Sequence, residues 1–249
     1  MARILEVCID SLSSTRAAIR GGADRIELCS ALALGGLTPF TALLQQIREE
    51  SDIPVRCLMR PRSGDFLYDK EEIDLMVRQI KELRAAGADG FVIGCLTANG
   101  NLDKNAIRPM IDAADGCGLT LHRCIDVSRD PLETYLQAAS LGFDTVLTSG
   151  AAASCVAGIE TLQKMLELRD RCNGPEVLIG AGVNPGNVHH LLAALPQARA
   201  FHASCKCNVE SAMQFRRADV PMGLPNLDEW HIQQTDEGQV RALKTALNQ

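Results

Sequence analysis

The stretch GGADRIEL, residues 21–28, decides the fold. A glycine, then Ala-Asp, then an apolar run reads as a helix end turning directly into a strand. Gly22 suits the left-handed conformation found just past a helix, where a Cβ is unwelcome. The arrangement returns as AGADGFVI (86–93) and LGFDTVLT (141–148), with Gly87 and Gly142 in the same place. Repeated helix-to-strand returns predict helices alternating with parallel strands.

Eight short apolar runs fit buried parallel strands: ILEVCID (4–10), RIELCS (25–30), VRCLMR (55–60), GFVIGCL (90–96), LTLHRCID (119–126), TVLTSG (145–150), EVLIGAGV (176–183) and AFHASC (200–205). Helical stripes lie between them. In 70–87 the stripe is Ile73, Val77, Ile80 and Leu83; in 154–171 it is Ile159, Leu162, Met165 and Leu166. Eight such units in 249 residues predict an α/β fold, a single (β/α)8 TIM barrel over residues 1–249 with a C-terminal extension. Residues 206–234 are expected to form an insertion over the barrel, and 236–248 a final helix. The rival is an open doubly wound sheet, but the first loop, CIDSLSSTR (8–16), has no G-x-G-x-x-G.

A net charge of -6 argues against a nucleic-acid surface. No apolar run has the length of a membrane span, and no secretory leader is recognisable, so a cytoplasmic protein is expected. Ten cysteines occur without a C-x-x-C pair. Reduced, mostly buried thiols are therefore expected rather than a zinc ribbon or disulfide framework.

Strand parity gathers the polar residues. Glu6, Cys8 and Asp10 share a face of the first strand, and Glu27 and Cys29 a face of the second. Arg60 ends the third and Arg62 follows. His122, Cys124 and Asp126 share a face of the fifth, the sixth ends in Thr148 and Ser149, and His202 and Ser204 share a face of the eighth. A Glu6–Arg60–Glu27 arrangement, with His122 and His202 nearby, would satisfy these charges at the C-terminal end of the barrel. The competing interpretation is an ion-pair network that merely fills the lumen. Gly180, Gly182 and Val183 lead into a helix and suit an anion, although a merely tight turn competes, with Asn187 then an ordinary cap. Arg60 and Arg62 suit a carboxylate or phosphate, although an Arg62–Asp65 loop salt bridge competes. Soft thiolates suit Cu(I), and Cys8 and Cys29 on adjacent strands rank above the Cys205–Cys207 pair as ligands.

The motifs LEVC, GGADRIELCS, GGLTP, RPRSGDFLY, LHRCID, DTVLTSG, GAGV, FHAS and MQFRR…VPMG run through nearly the whole chain. Together they resemble the CutC copper homeostasis family. The resemblance implies a TIM barrel, a cytoplasmic location and a role in copper handling. Carried over by position, it points to Glu6, Cys8, Glu27, Cys29, Arg60, Arg62, Asp65, His122, Arg123, Asp126, His202 and Ser204. HRCID stands where the family commonly reads H-R-A-F-D, RSGDF where it reads R-G-G-D-F, and Cys205 where many members have Ala. Cys124 and Cys205 therefore inherit no role.

Two functions follow. In the first, the protein binds Cu(I) through Cys8 and Cys29. In the second, it is an enzyme acting on a small anionic or phosphorylated metabolite. Glu27, His122 or Asp126 would then transfer a proton, while Glu6, Arg60, Arg62, Asp65, Arg123, Gly180, Gly182, His202 and Ser204 bind substrate. Assembly as a homodimer is left open.

Overall fold

The computed structural model describes residues 3–217, 219–220 and 228–249. Eight parallel strands close into a barrel: β1 (Ile4–Ile9), β2 (Arg25–Leu28), β3 (Val55–Leu58), β4 (Gly90–Ile93), β5 (Gly118–Leu121), β6 (Thr145–Thr148), β7 (Glu176–Ile179) and β8 (Ala200–Ala203). Pairing of β8 with β1, Glu6 beside His202, closes the ring. The helices α1 (Leu12–Gly21), α2 (Thr41–Glu50), α3 (Lys70–Ala85), α4 (Lys104–Ala114), α5 (Pro131–Ser140), α6 (Ile159–Cys172) and α7 (Val188–Ala194) follow successive strands. This is the (β/α)8 TIM barrel that the alternation predicted.

The recurrent Gly-x-Asp returns do more than turn the chain. Gly22, Gly87 and Gly142 all have positive φ, as a helix-ending glycine should. The aspartate two residues later grips the preceding strand. The N–H groups of Leu5, Val55 and Leu119 donate at 2.7 Å to the carboxylates of Asp24, Asp89 and Asp144. The N–H of each aspartate in turn donates to the carbonyl of the same strand residue. Lys244, Arg48 and Arg56 neutralise the three carboxylates. Each return thereby pins the register of the strand before it.

The main apolar core lies between strands and helices, with Phe91, Ile93, Tyr135 and Phe201 fully or almost fully buried. Inside the lumen, Leu147, Leu178 and Ala200 form one small apolar cluster, and Cys8, Cys29, Leu58 and Val92 another. Helix α6 starts at Ile159, later than its sequence pattern suggested, because residues 150–158 turn instead. Helices α3 and α6 bury the expected faces, including Ile80 and Leu83, and Leu162, Met165 and Leu166.

Beyond β8 the segment expected as an insertion over the barrel contains a two-stranded antiparallel ribbon, β9 (Lys206–Glu210) and β10 (His231–Thr235). Its base is tied to α1, where the N–H of Thr235 donates to Ser14 Oγ. Part of the connection between the two strands, including Pro221 to Gly223 of the VPMG motif, lies outside the described residues. Helix α8 (Glu237–Leu247), capped by Asp236, completes the chain and packs against α1. No described helix is long and apolar enough to cross a membrane.

Candidate functional site

A cavity of about 1120 Å³ opens at the C-terminal end of the strands. Its lining includes Cys8, Glu27, Cys29, Arg60, His122, Arg123, Gly182, His202 and Ser204, and the β9–β10 ribbon forms one wall. Nine of the fourteen residues assigned a metal, substrate or proton-transfer role from the sequence thus meet in one place. The others lie outside it for identifiable reasons.

Glu6 is completely buried one layer below the cavity. Its partner is Arg25, whose Nε donates to Oε2 at 2.5 Å, rather than Arg60. The Glu6–Arg60–Glu27 arrangement is therefore not formed. Arg25 occupies the same face as Glu27, one layer nearer the start of β2. Parity could have found it, but its place at the strand's first residue hid it.

The Glu6 Oε1 lies 2.8 Å from His202 Nδ1. A carboxylate only accepts, so Nδ1 carries the proton that it donates. Burial works to raise the Glu6 pKa, but the His202 hydrogen bond and the Arg25 charge prevail and hold it at about 2. His202 Nε2 is left facing Glu27, 3.6 Å from Oε2. Burial would discharge His202, yet Cys8, Glu27 and Glu6 together keep it protonated well above the usual histidine range. Burial also raises Glu27, to about 7, with the negative Glu6 adding to the effect and His202 opposing it.

Cys8, Glu27 and His202 form the one compact group of metal-capable donors among the described residues, with donor atoms within 4.8 Å of one another. Cys29 lies outside that group. Its thiol is directed to the carbonyl of Glu27 at 3.9 Å, and burial raises its pKa well above normal. The sequence placed Glu27 and His202 among substrate-handling residues, and the pairing of β1 with both β8 and β2 makes them neighbours of the Cys8 thiol as well. Cys205 is buried and Cys207 partly so, each outside this group.

His122 does not share a strand face with Cys124 and Asp126. The fifth strand stops at Leu121, and Arg123–Val127 wind into a 3-10 turn in which the Cys124 N–H donates to the His122 ring. That turn delivers Asp126 to the loop after β6. There it accepts from Thr148 Oγ1 at 2.5 Å and from the N–H groups of Ser149 and Ala151, and it pairs with Arg123. Asp126 is thus engaged in anchoring this loop and lies outside the cavity lining. Arg62 sits on the outer rim, paired with Glu72 at 2.6 Å and with Asp65 at 3.1 Å, so the loop salt bridge forms. Gly180 is a packing position, since a Cβ there would come within 2.7 Å of Leu147. Asn187 precedes α7 without capping it, because its Oδ1 instead accepts the N–H of Asn184 while its amide nitrogen donates to the Gly182 carbonyl.

Gly94 sets the His122 ring. A Cβ there would approach Cys124 Sγ at 2.5 Å and the imidazole at 2.7 Å. Gly94→Ala is expected to destabilise the fold by about 1–3 kcal/mol and to displace His122. Urea unfolding and the His122 ring resonances check this; an unaltered ring signal would show that the glycine is dispensable.

Residues 3–207 match the CutC family. A CutC family protein of Chromobacterium violaceum is 41% identical over 249 residues, covering 100% of this chain and 99% of its own. The human protein named copper homeostasis protein cutC homolog is 38% identical over 242 residues, covering 96% of this chain and 87% of its own. Among solved structures, a Streptococcus agalactiae protein carrying the CutC copper-homeostasis name superposes with a TM-score of 0.76 at 27% identity. The match covers 81% of this chain and 98% of that one.

Proposed function

This chain belongs to the CutC family, and from that premise we propose that it handles copper, holding Cu(I) at the barrel mouth through Cys8 and His202, with Glu27 as a third donor. The carrying observation is the convergence of the three donor atoms within 4.8 Å. A thiolate and an imidazole suit Cu(I), and the carboxylate oxygen is the hardest and weakest donor of the three for that ion. The histidine is already oriented, because Glu6 takes its Nδ1–H and leaves Nε2 toward Cys8 and Glu27, where a bound ion would replace the Nε2 proton that the surrounding acids otherwise retain. The relatives' names carry copper. All the cysteines are free thiols, which fits a reducing compartment, so the proposed location is the cytoplasm.

The test is Cu(I) titration against a chromophoric competitor under reducing conditions. Cys8→Ser should weaken Cu(I) by more than about 100-fold, beyond the 10–100-fold typical of an outer-sphere change. Cys29→Ser and the pair Cys205→Ser with Cys207→Ser should leave binding close to the parent. An equal loss in Cys29→Ser would replace the mixed donor set with a pair of barrel thiols. Binding of Zn2+ with no competition for Cu(I) would retain the metal site and remove copper from it.

The second reading is an acid/base enzyme acting on a small anion. It draws on Glu27, a carboxyl with a pKa of about 7 beside a charged imidazole. Absence of any competitive Cu(I) binding in the parent protein would favour it.

A further inference from the structure

We infer that His122 and Arg60 form an oxyanion-binding subsite on the cavity wall, built to take the carboxylate or phosphate group of a small organic molecule. The inference goes beyond the copper reading and does not depend on the Cys8–Glu27–His202 group.

Four buried side-chain polar atoms lack a hydrogen-bond partner among the described residues: Arg60 Nε, Tyr68 Oη, Gln79 Oε1 and His122 Nε2. Arg60 and His122 line the cavity, whereas Tyr68 and Gln79 do not. On these two cavity-lining residues the unpartnered atoms are both nitrogens screened from solvent by their neighbours, and their hydrogen state follows from the surroundings.

His122 Nδ1 accepts the N–H of Cys124 at 3.1 Å, so it carries no proton. Burial, reinforced by the positive charge of Arg60, lowers the His122 pKa to about 3 and keeps the ring neutral. The one ring proton therefore resides on Nε2, as a donor. The ring has no freedom to turn this group elsewhere. It packs on Phe66 with centroids 4.7 Å apart, and its other side rests where Gly94 lacks a Cβ. His122 is 4% exposed. A buried N–H fixed without an acceptor is costly unless a ligand supplies one.

Arg60 is prepared in the same way. Its terminal nitrogens donate to the carbonyls of Leu34, Gly36 and Gly64, at 3.0–3.1 Å. The guanidinium lies over Phe66, 5.3 Å from the ring centroid, so one aromatic ring supports both donors. No carboxylate pairs with Arg60 among the described residues. In this it differs from Arg25, Arg56, Arg62, Arg123 and Arg169, each of which has an acidic partner. Carbonyl groups hold the charge in place without neutralising it.

Two donors and one uncompensated positive charge, with no acceptor of their own, select an acceptor-only, negatively charged group. A neutral imidazole N–H beside an arginine binds an oxyanion without exchanging a proton with it. His122 is therefore assigned to positioning a ligand, not to acid/base transfer. The cavity is large enough for a small organic anion to reach from this wall toward Cys8, Glu27 and His202.

The test uses metal-free full-length protein labelled with 15N-histidine, titrated separately with inorganic phosphate and with acetate. Saturable movement of the His122 Nε2–H resonance is expected with at least one of them, and the arm with the tighter binding identifies phosphate or carboxylate as the group. His122→Phe and Arg60→Met should each weaken that binding by about tenfold or more, the scale of one charge-assisted hydrogen bond. His122→Gln, which restores an N–H donor, should recover part of it. No resonance change with either anion at concentrations on the order of 100 mM, well past millimolar affinity, would overturn the subsite. So would unaltered binding in a folded His122→Phe. If a variant fails to fold, the parent titration alone decides.

Discussion

Glu6→Leu is expected to lower the unfolding free energy of the metal-free protein by about 3–5 kcal/mol, the usual cost of breaking a buried ion pair from one side. Glu6 is wholly buried between Arg25, at 2.5 Å, and His202, at 2.8 Å. Its removal strands a guanidinium whose side chain is 15% exposed, and also leaves the His202 Nδ1–H without an acceptor. Pairing Glu6→Leu with Arg25→Met should recover much of the loss, because the second change removes the stranded charge. Urea unfolding of the parent, Glu6→Leu, Arg25→Met and the double variant gives the coupling directly. A Glu6→Leu protein within about 1 kcal/mol of the parent, the scale of an exposed pair, would show that the network is not structural. The acid limb follows from the same pair. The folded-state pKa of about 2 lies below the ordinary 4.5, so the contribution of Glu6 is fully present above pH 4.5 and is lost as the pH falls from there toward 2.

Glu27→Gln should act in the opposite direction. Burial holds the Glu27 carboxyl at about 7. The folded protein therefore keeps a proton that the unfolded chain has released above 4.5. That contribution is fully present below pH 4.5 and is lost as the pH rises through 7. At pH 8 the metal-free Glu27→Gln protein is expected to be the more stable, by up to about 3 kcal/mol for a shift of this size, less whatever His202 loses with its anionic neighbour. Unfolding curves at pH 5 and pH 8 check both the sign and the flattened pH dependence. A variant less stable than the parent at pH 8 would mean that the Glu27–His202 attraction exceeds the cost of burying the carboxylate. The same substitution removes a donor from the candidate metal group, so a gain in stability accompanied by weaker metal binding would identify Glu27 as a residue kept for function at a cost to the fold.

Much of this molecule was legible from residue pattern because the relevant physics is local. Gly22, Gly87 and Gly142 announce helix ends through the conformation they tolerate, and the apolar runs between them announce buried strands. Period-two alternation then assigns each side chain to a face, which is why Cys8, Glu27, Cys29 and His202 could all be placed in the lumen.

Alternation specifies a face, but not a level within the barrel nor a partner across it. Those depend on the stagger of the closed sheet, which brings His202 beside Glu6 and makes it a neighbour of Cys8 only when β8 pairs with β1. The level decided that Arg25, rather than Arg60, neutralises Glu6, and that Glu27 and His202, rather than Cys29, complete the donor group around Cys8. Departures from regular strand also escaped the pattern. LTLHRCID continues to alternate in sequence, yet the His122 cap turns the chain at Arg123 and carries Asp126 away to anchor another loop. The sequence by itself determined the barrel and the residue types facing its lumen, since both follow from nearest-neighbour backbone preference and strand parity. Only the tertiary structure decided which charges meet and which donors remain unpartnered, because those are distances across a closed sheet, between residues as far as 196 positions apart in the chain.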